Sequence, residues 1–465
     1  MYKSTKLTTI VTIFTVITTL INTIYLFLFR EELVDGYQNL FLLPLTYLFT
    51  YMLFIRPIFK NKGISFFLMI YTLVSYTRYN ILSYLVYKSQ WYGGISKFPP
   101  TSDQFSGAIL LMSYELIVYS IAIYIFHKYL IKDVIKRKIK HKMKFQKSNI
   151  VYLCFILITM IFVTLNPNSL SFFSFISINE NYKNLETLGV FSLVTIVLLS
   201  VSRILIYFIF IKWIVINLKP KYYLMSFFLV VFVSLLNSMI FIGTNRASFL
   251  LNFLATIIII IYLYRKTAIS FVILMFSILP TLLGSLLSYR QTTTITQGAN
   301  KIVDLTDTLQ VYLGGVYNVA LSLDILSPNS NIFYLIIDVM RSAIGPNILL
   351  KNINIVNSVN LYNERIFQST LVSQIIPMIG QGKLYLGYIL APLLGVIFIF
   401  IATYFTKIIV EKNRFELIFV FTLISGRLGF VMAQNGNIFM NELTFYLPLF
   451  LIIYYLNNKV VAKNE

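Results

Sequence analysis

Apolar runs of about 17–25 residues recur along nearly the whole chain, and each is long enough to cross ~30 Å of hydrocarbon as a helix. They fall at roughly 7–29, 38–55, 64–87, 106–126, 149–166, 187–211, 222–242, 247–264, 267–288, 384–406, 415–432 and 441–457. Of the 465 residues, 58% are hydrophobic and 12% charged, more apolar surface than a water-soluble core can use. The expected fold class is therefore an all-α polytopic integral membrane protein with about 12 transmembrane helices. The run starting at Leu7 exceeds a signal-peptide core, and no small-residue cleavage site precedes Arg30-Glu31-Glu32, so it reads as a retained helix. The chain is expected to form a single transmembrane domain over 1–465.

Two segments interrupt this pattern. The first, 127–148, carries the densest basic charge, from His127 to Lys147. The net charge of +21 invites a nucleic-acid partner, but a basic block directly between two spans reads as a cytoplasmic anchor against anionic lipid. With the N-terminus inside, about 24 of the 38 Lys and Arg fall in cytoplasmic segments, as the positive-inside rule requires. Both termini are then cytoplasmic. The second interruption, 289–383, becomes a large extracytoplasmic loop between helices 9 and 10, of mixed polarity and both signs of charge.

The chain has one cysteine, Cys154, so it forms no internal disulfide and a Cys-based metal site is not expected. Its two histidines, His127 and His141, fall in or beside the basic loop, which removes the commonest general base from the rest.

Arg78, Glu115, Arg203 and Arg427 are charges set inside apolar runs. Arg78 and Glu115 sit equally far from the outer ends of neighbouring antiparallel runs, at about 13 Å depth for 1.5 Å per residue. Pairing would offset part of the ~2.5–3.5 kcal/mol that insertion scales assign to a lone charge. Such a pair either locks two helices together or walls a cavity. Arg203 is expected to snorkel towards Lys212 and the inner face. Arg427, between Gly426 and Gly429, is placed to face an outer cavity.

The outer face collects a different chemistry. The turn Gly243-Thr244-Asn245-Arg246 opens a span, so Arg246 and the helix N-terminus converge on one spot suited to phosphate oxygens. The alternative is an interfacial arginine touching lipid headgroups. Arg290 ends the ninth span at the same face. Val311–Leu326 and Ile332–Met340 are too short to span and read as interfacial helices. Arg341, then Asn357-Ser358-Val359-Asn360 with Glu364-Arg365, then Gly380-Gln381-Gly382-Lys383 follow. Arginines grip diphosphate, aromatics stack on sugars, and a carboxylate accepts a hydroxyl proton. The competing reading is a structured loop whose charges pair internally.

With Gly243, Thr244 and Arg246 opening a span, Asn357, Ser358 and Asn360 in the loop, and Gly380, Gly382 and Gly387 leading out of it, the chain resembles the Wzy-type oligosaccharide repeat-unit polymerases. The resemblance covers most of the chain in architecture. It implies a polyprenyl-diphosphate-dependent glycosyltransferase with no cofactor and no metal, which builds O-antigen, capsule or exopolysaccharide at the outer face of the bacterial plasma membrane. It implies Arg246, Arg290, Arg341 and Arg365 as the diphosphate grip and Glu364 as the catalytic base; Arg78, Glu115, Arg427, Gly243 and Gly380 are expected on their positions to be structural or to shape a cavity. Its expected partners are a polyprenyl-diphosphate-linked oligosaccharide, membrane lipids, a chain-length co-polymerase and a flippase. Two departures stand: Arg365 meets its next glycine only at Gly380, not after ten residues, and no extracytoplasmic histidine exists. A flippase for the same lipid-linked glycan is the main alternative, although no internal repeat relates the two halves. A lipid-linked glycan ligase is another.

Overall fold

A computed structural model describes residues 5–60, 65–91, 93–96, 98–131, 143–175, 189–242, 246–264, 267–268, 295–296, 298–326, 330–350, 352–353, 355–367 and 374–463. Most of the expected ninth span, Arg290 and Gly243 lie outside these residues, as does half of the basic 127–148 loop. The protein is an all-helical membrane protein. Among the described residues, six helices are long and apolar enough to cross a bilayer: Thr8–Leu28, Leu42–Phe59, Ser102–Ile131, Val190–Leu218, Leu393–Lys412 and Gly436–Val460. Ile150–Leu165, Tyr223–Met239 and Leu251–Tyr264 are shorter apolar helices.

The first helix shows why such sequences belong in lipid. Ile10, Phe14, Ile17, Ile21 and Ile24 are exposed along one face. Thr15, Thr19, Asn22 and Thr23 are buried along the other. Thr19 and Thr23 bond back to carbonyls of their own helix, and Asn22 Nδ2 crosses to the Asn80 carbonyl at 2.8 Å and to Asn80 Oδ1 at 2.9 Å. This inversion of the water-soluble pattern is the helix-packing mode of a bilayer.

The chain divides into two compact units. The first comprises Met1–Ile139, Thr293–Glu411 and Ile424–Glu442, the second Lys140–Thr292, Lys412–Leu423 and Leu443–Glu465.

In the first unit, helix starts follow capping chemistry. Thr101 and Gln104 form a capping box ahead of Ser102–Phe126, and Asn300 accepts from Ile302 and Val303 at the start of Lys301–Leu313. Asn331 caps Ile332–Met340 through the Tyr334 N–H at 3.0 Å. The segment expected as an interfacial helix over Val311–Leu326 is instead two helices, Lys301–Leu313 and Val316–Leu323, broken by Gly314 at φ 59°. Val316–Ser322 is buried throughout, packed against Ser102–Phe126 and Met378–Leu390. Short apolar segments satisfy a protein core as well as a bilayer surface, and here the core takes this one.

The tenth expected span, 384–406, also begins elsewhere. Met378–Leu390 is interrupted at Gly387, whose φ of 73° and ψ of −178° are reserved almost wholly to glycine, and the membrane-length helix starts at Leu393.

In the second unit, Phe173–Phe175 pairs antiparallel with Ile240–Ile242, in the register Phe173↔Ile242 and Phe175↔Ile240. Arg203 does not turn towards Lys212; its Nη1 donates to the Ile240 carbonyl. Tyr223–Met239 ends one residue earlier, so that carbonyl is free of a helical partner and attracts the guanidinium. Lys212 instead donates to the Lys147 carbonyl and Asn149 Oδ1.

Candidate functional site

Within the first unit, an open cavity of ≈ 410 Å³ is lined by Ile325, Leu326, Ser330 and the run Lys383-Leu384-Tyr385-Leu386-Gly387. Lys383 is its cation. The Nζ donates to the Leu323 carbonyl at 2.6 Å and lies 5.6 Å from the centroid of the Tyr388 ring. Burial pushes the Lys383 ammonium below its ordinary range, and nearby Asp324 partly restores it.

Asp324, next to the wall residue Ile325, accepts from Arg365 Nε at 2.7 Å, a half-exposed pair. The same guanidinium donates through Nη1 to the Phe98 carbonyl at 3.0 Å and to Ser96 Oγ at 3.5 Å. Arg365 thus fastens the Ser358–Phe367 helix to the end of Val316–Leu323 and to the 93–98 stretch. Ser96 is held in turn by its N–H on the Tyr317 hydroxyl at 3.1 Å. Glu364, one residue before, is exposed and has no hydrogen bond or ion pair among the described residues.

The other arginines expected in a diphosphate grip do not share these partners. Arg341 donates through Nε to the Leu350 carbonyl at 3.2 Å and through Nη1 to the Ile355 carbonyl at 2.5 Å, tying down the turn that follows its own helix. Arg246 opens the helix Arg246–Tyr264 in the second unit, and its side chain lies outside the described part.

Arg78 and Glu115 meet. Arg78 Nη1 is 2.6 Å from Glu115 Oε2 with both side chains fully buried. The Arg78 Nε donates to the Gly314 carbonyl at 2.9 Å, so the ion pair also grips the break between Lys301–Leu313 and Val316–Leu323. Tyr79 donates to Glu115 Oε2 and to the Met112 carbonyl, both at 3.0 Å. Arg78 lies in a π-helical turn, Thr77–Ile81, whose extra residue per turn re-aims side chains. Neither residue lines the cavity.

Arg427 is buried, with Nε 3.5 Å from Glu442 Oε1 and Nη2 3.5 Å from Gln434 Oε1, and it does not line the cavity either. Gly380 is buried against Ser322, whose Oγ would stand 2.4 Å from a Cβ there. A side chain at 380 would push Val316–Leu323 away from the cavity-bearing helix.

The sequence alone does not single out Asp324 or Asp338, and it gives Gln381 and Lys383 no role. Asp338 carried a usable signal: an acid between Ile337 and Val339, in a run otherwise apolar, needs partners when buried. Asp324 carried none, because an acid after an apolar segment is ordinary.

Comparison of the chain with family models, with curated proteins and with solved structures finds no match.

Proposed function

We propose that this protein polymerises lipid-linked oligosaccharide repeat units at the outer face of a bacterial plasma membrane, by glycosyl transfer from a polyprenyl diphosphate. In this reading the chain crosses the bilayer about twelve times with both termini inside, and 289–383 lies outside. The observation that carries the reading is the ≈ 410 Å³ cavity with a half-buried lysine in its wall and the Asp324–Arg365 pair beside it. A half-buried cation in a largely polar hollow suits an anionic headgroup.

Lys383 then takes the diphosphate, with Arg365 beside it at the end of the Val316–Leu323 helix. Glu364 removes the proton from the acceptor hydroxyl. The hydroxyl oxygen bonds to the anomeric carbon, the bond from that carbon to the diphosphate oxygen breaks, and polyprenyl diphosphate leaves with the electron pair. The cations offset the charge that builds on the leaving group. No metal or cofactor enters this scheme. A flippase and a chain-length co-polymerase are the partners such a reaction calls for.

Reconstituting the purified protein in liposomes with a defined lipid-linked repeat unit tests the reading. A ladder of longer lipid-linked glycans supports it. Movement of intact single units across the bilayer, without extension, identifies a transporter instead.

A further inference from the structure

Behind the cavity wall lies a carboxylate surrounded by neutral donors. Asp338, on Ile332–Met340, is fully buried. Its Oδ2 accepts from the Ser358 hydroxyl at 2.5 Å, from the Ser358 N–H at 3.3 Å and from Gln381 Nε2 at 3.1 Å. Asn437 Nδ2 reaches Oδ1 at 3.4 Å and the Asp338 carbonyl at 2.9 Å. Gln381 completes the knot. Its Nε2 donates to Asn437 Oδ1 at 2.6 Å and to Ser358 Oγ at 3.1 Å, while its Oε1 accepts the Gly436 N–H at 2.8 Å. Among the described residues no cation lies within ion-pair distance of Asp338.

A carboxylate buried without a counter-ion is a costly way to hold helices together, since apolar packing of similar volume does so at least as well. What it provides is direction. Ser358 begins the helix that carries Glu364 and Arg365, and Gln381 precedes Lys383 and Tyr385 on the helix that walls the cavity. Tyr385 joins the two sides. It lines the cavity, and its buried hydroxyl lies near Asp338 and Ser358 without a hydrogen bond of good geometry.

We propose that Asp338 is the positioning residue of the cavity, setting the register between the helix that bears Glu364 and Arg365 and the helix that bears Lys383 and Tyr385. It touches no ligand itself; it acts through Ser358, Gln381 and Tyr385. Its catalytic consequence rests on the polymerase reading above, but its structural content does not.

The test uses full-length protein with Cys154→Ser and spin labels at Glu364→Cys and Leu386→Cys, one on each helix. Asp338→Asn keeps shape while placing an amide N–H against donors. The expected result is a broadened inter-label distance distribution in a still monodisperse protein. In unlabelled Asp338→Asn protein, kcat for chain extension falls roughly 10- to 100-fold with KM within twofold. An unchanged distance distribution, or a rise in KM at unchanged kcat, overturns the proposal. If Asp338→Asn does not survive purification, Ser358→Ala, which deletes a single link, is read by the same two measurements. Broadening in a protein whose Asp338 form extends no glycan would sink the polymerase reading and leave the positioning role standing.

Discussion

Arg78 and Glu115 form a fully buried ion pair at 2.6 Å, and the same guanidinium reaches across to the Gly314 carbonyl at 2.9 Å. One arginine therefore joins two apolar helices to the turn from which the Val316–Leu323 helix departs. Removing either partner strands a charge, which costs about 3–5 kcal/mol. Arg78→Ala and Glu115→Ala should each sharply lower the thermal midpoint in detergent. The exchanged pair Arg78→Glu with Glu115→Arg should recover only part of it, because a carboxylate at 78 would face the Gly314 carbonyl. Full recovery would show that the Gly314 contact is incidental.

Lys383 gives the cavity a titratable cation. Its ammonium is held below the ordinary 10.5 by burial, so raising the pH discharges it earlier than a solvated lysine. Chain extension should decline on the alkaline side below pH 10.5, and Lys383→Arg should move that decline upward. Lys383→Ala should reduce turnover by about 10²-fold, in the range seen for loss of one oxyanion donor. A pH profile identical in the arginine variant would separate Lys383 from the reaction.

Asp307 supplies a second pH signature, in stability. Burial first, then Asp304, raises its carboxyl from 3.8 to about 6. A folded pKa above the unfolded one means the folded state holds the proton more tightly. The stability contribution is thus complete below pH 3.8 and is lost as the pH rises through about 6. Thermal midpoints of the wild-type protein should fall between about pH 4 and about pH 6 relative to Asp307→Asn and level off above that. Parallel curves for the two proteins would refute the assignment.

Topology is open to a chemical test, because the chain has a single cysteine to remove. In a Cys154→Ser background, cysteine at the highly exposed Leu326 should react with a membrane-impermeant maleimide on intact cells. Cysteine at exposed Tyr129 should react only after permeabilisation. The opposite pattern would invert the orientation.

The membrane character of the chain is legible in the sequence because lipid imposes a length requirement on every crossing helix, and length is a local property. The pairing of Arg78 with Glu115 is legible for the same reason: equal depth in antiparallel neighbours follows from counting residues. Gly387 looks like any glycine in an apolar run until its backbone angles are known, so the start of the Leu393 helix is not. The cavity depends on Lys383 reaching the Leu323 carbonyl and on Gln381 reaching Asp338, contacts between segments far apart in the chain that no single-residue property encodes. Arg341 and Arg365 look alike in sequence, yet one is consumed by carbonyls of its own turn and the other by Asp324.

The break at Gly387 separates two mechanical regimes within a dozen residues. Leu393–Lys412 has the length of the hydrocarbon layer, and its tilt answers to bilayer thickness. The stretch from Met378 to Leu386 is moored to its neighbours by polar knots instead. Thicker or thinner lipid can therefore swing the long helix while the lysine-bearing segment keeps its station, so the cavity's geometry is insulated from the host membrane's composition.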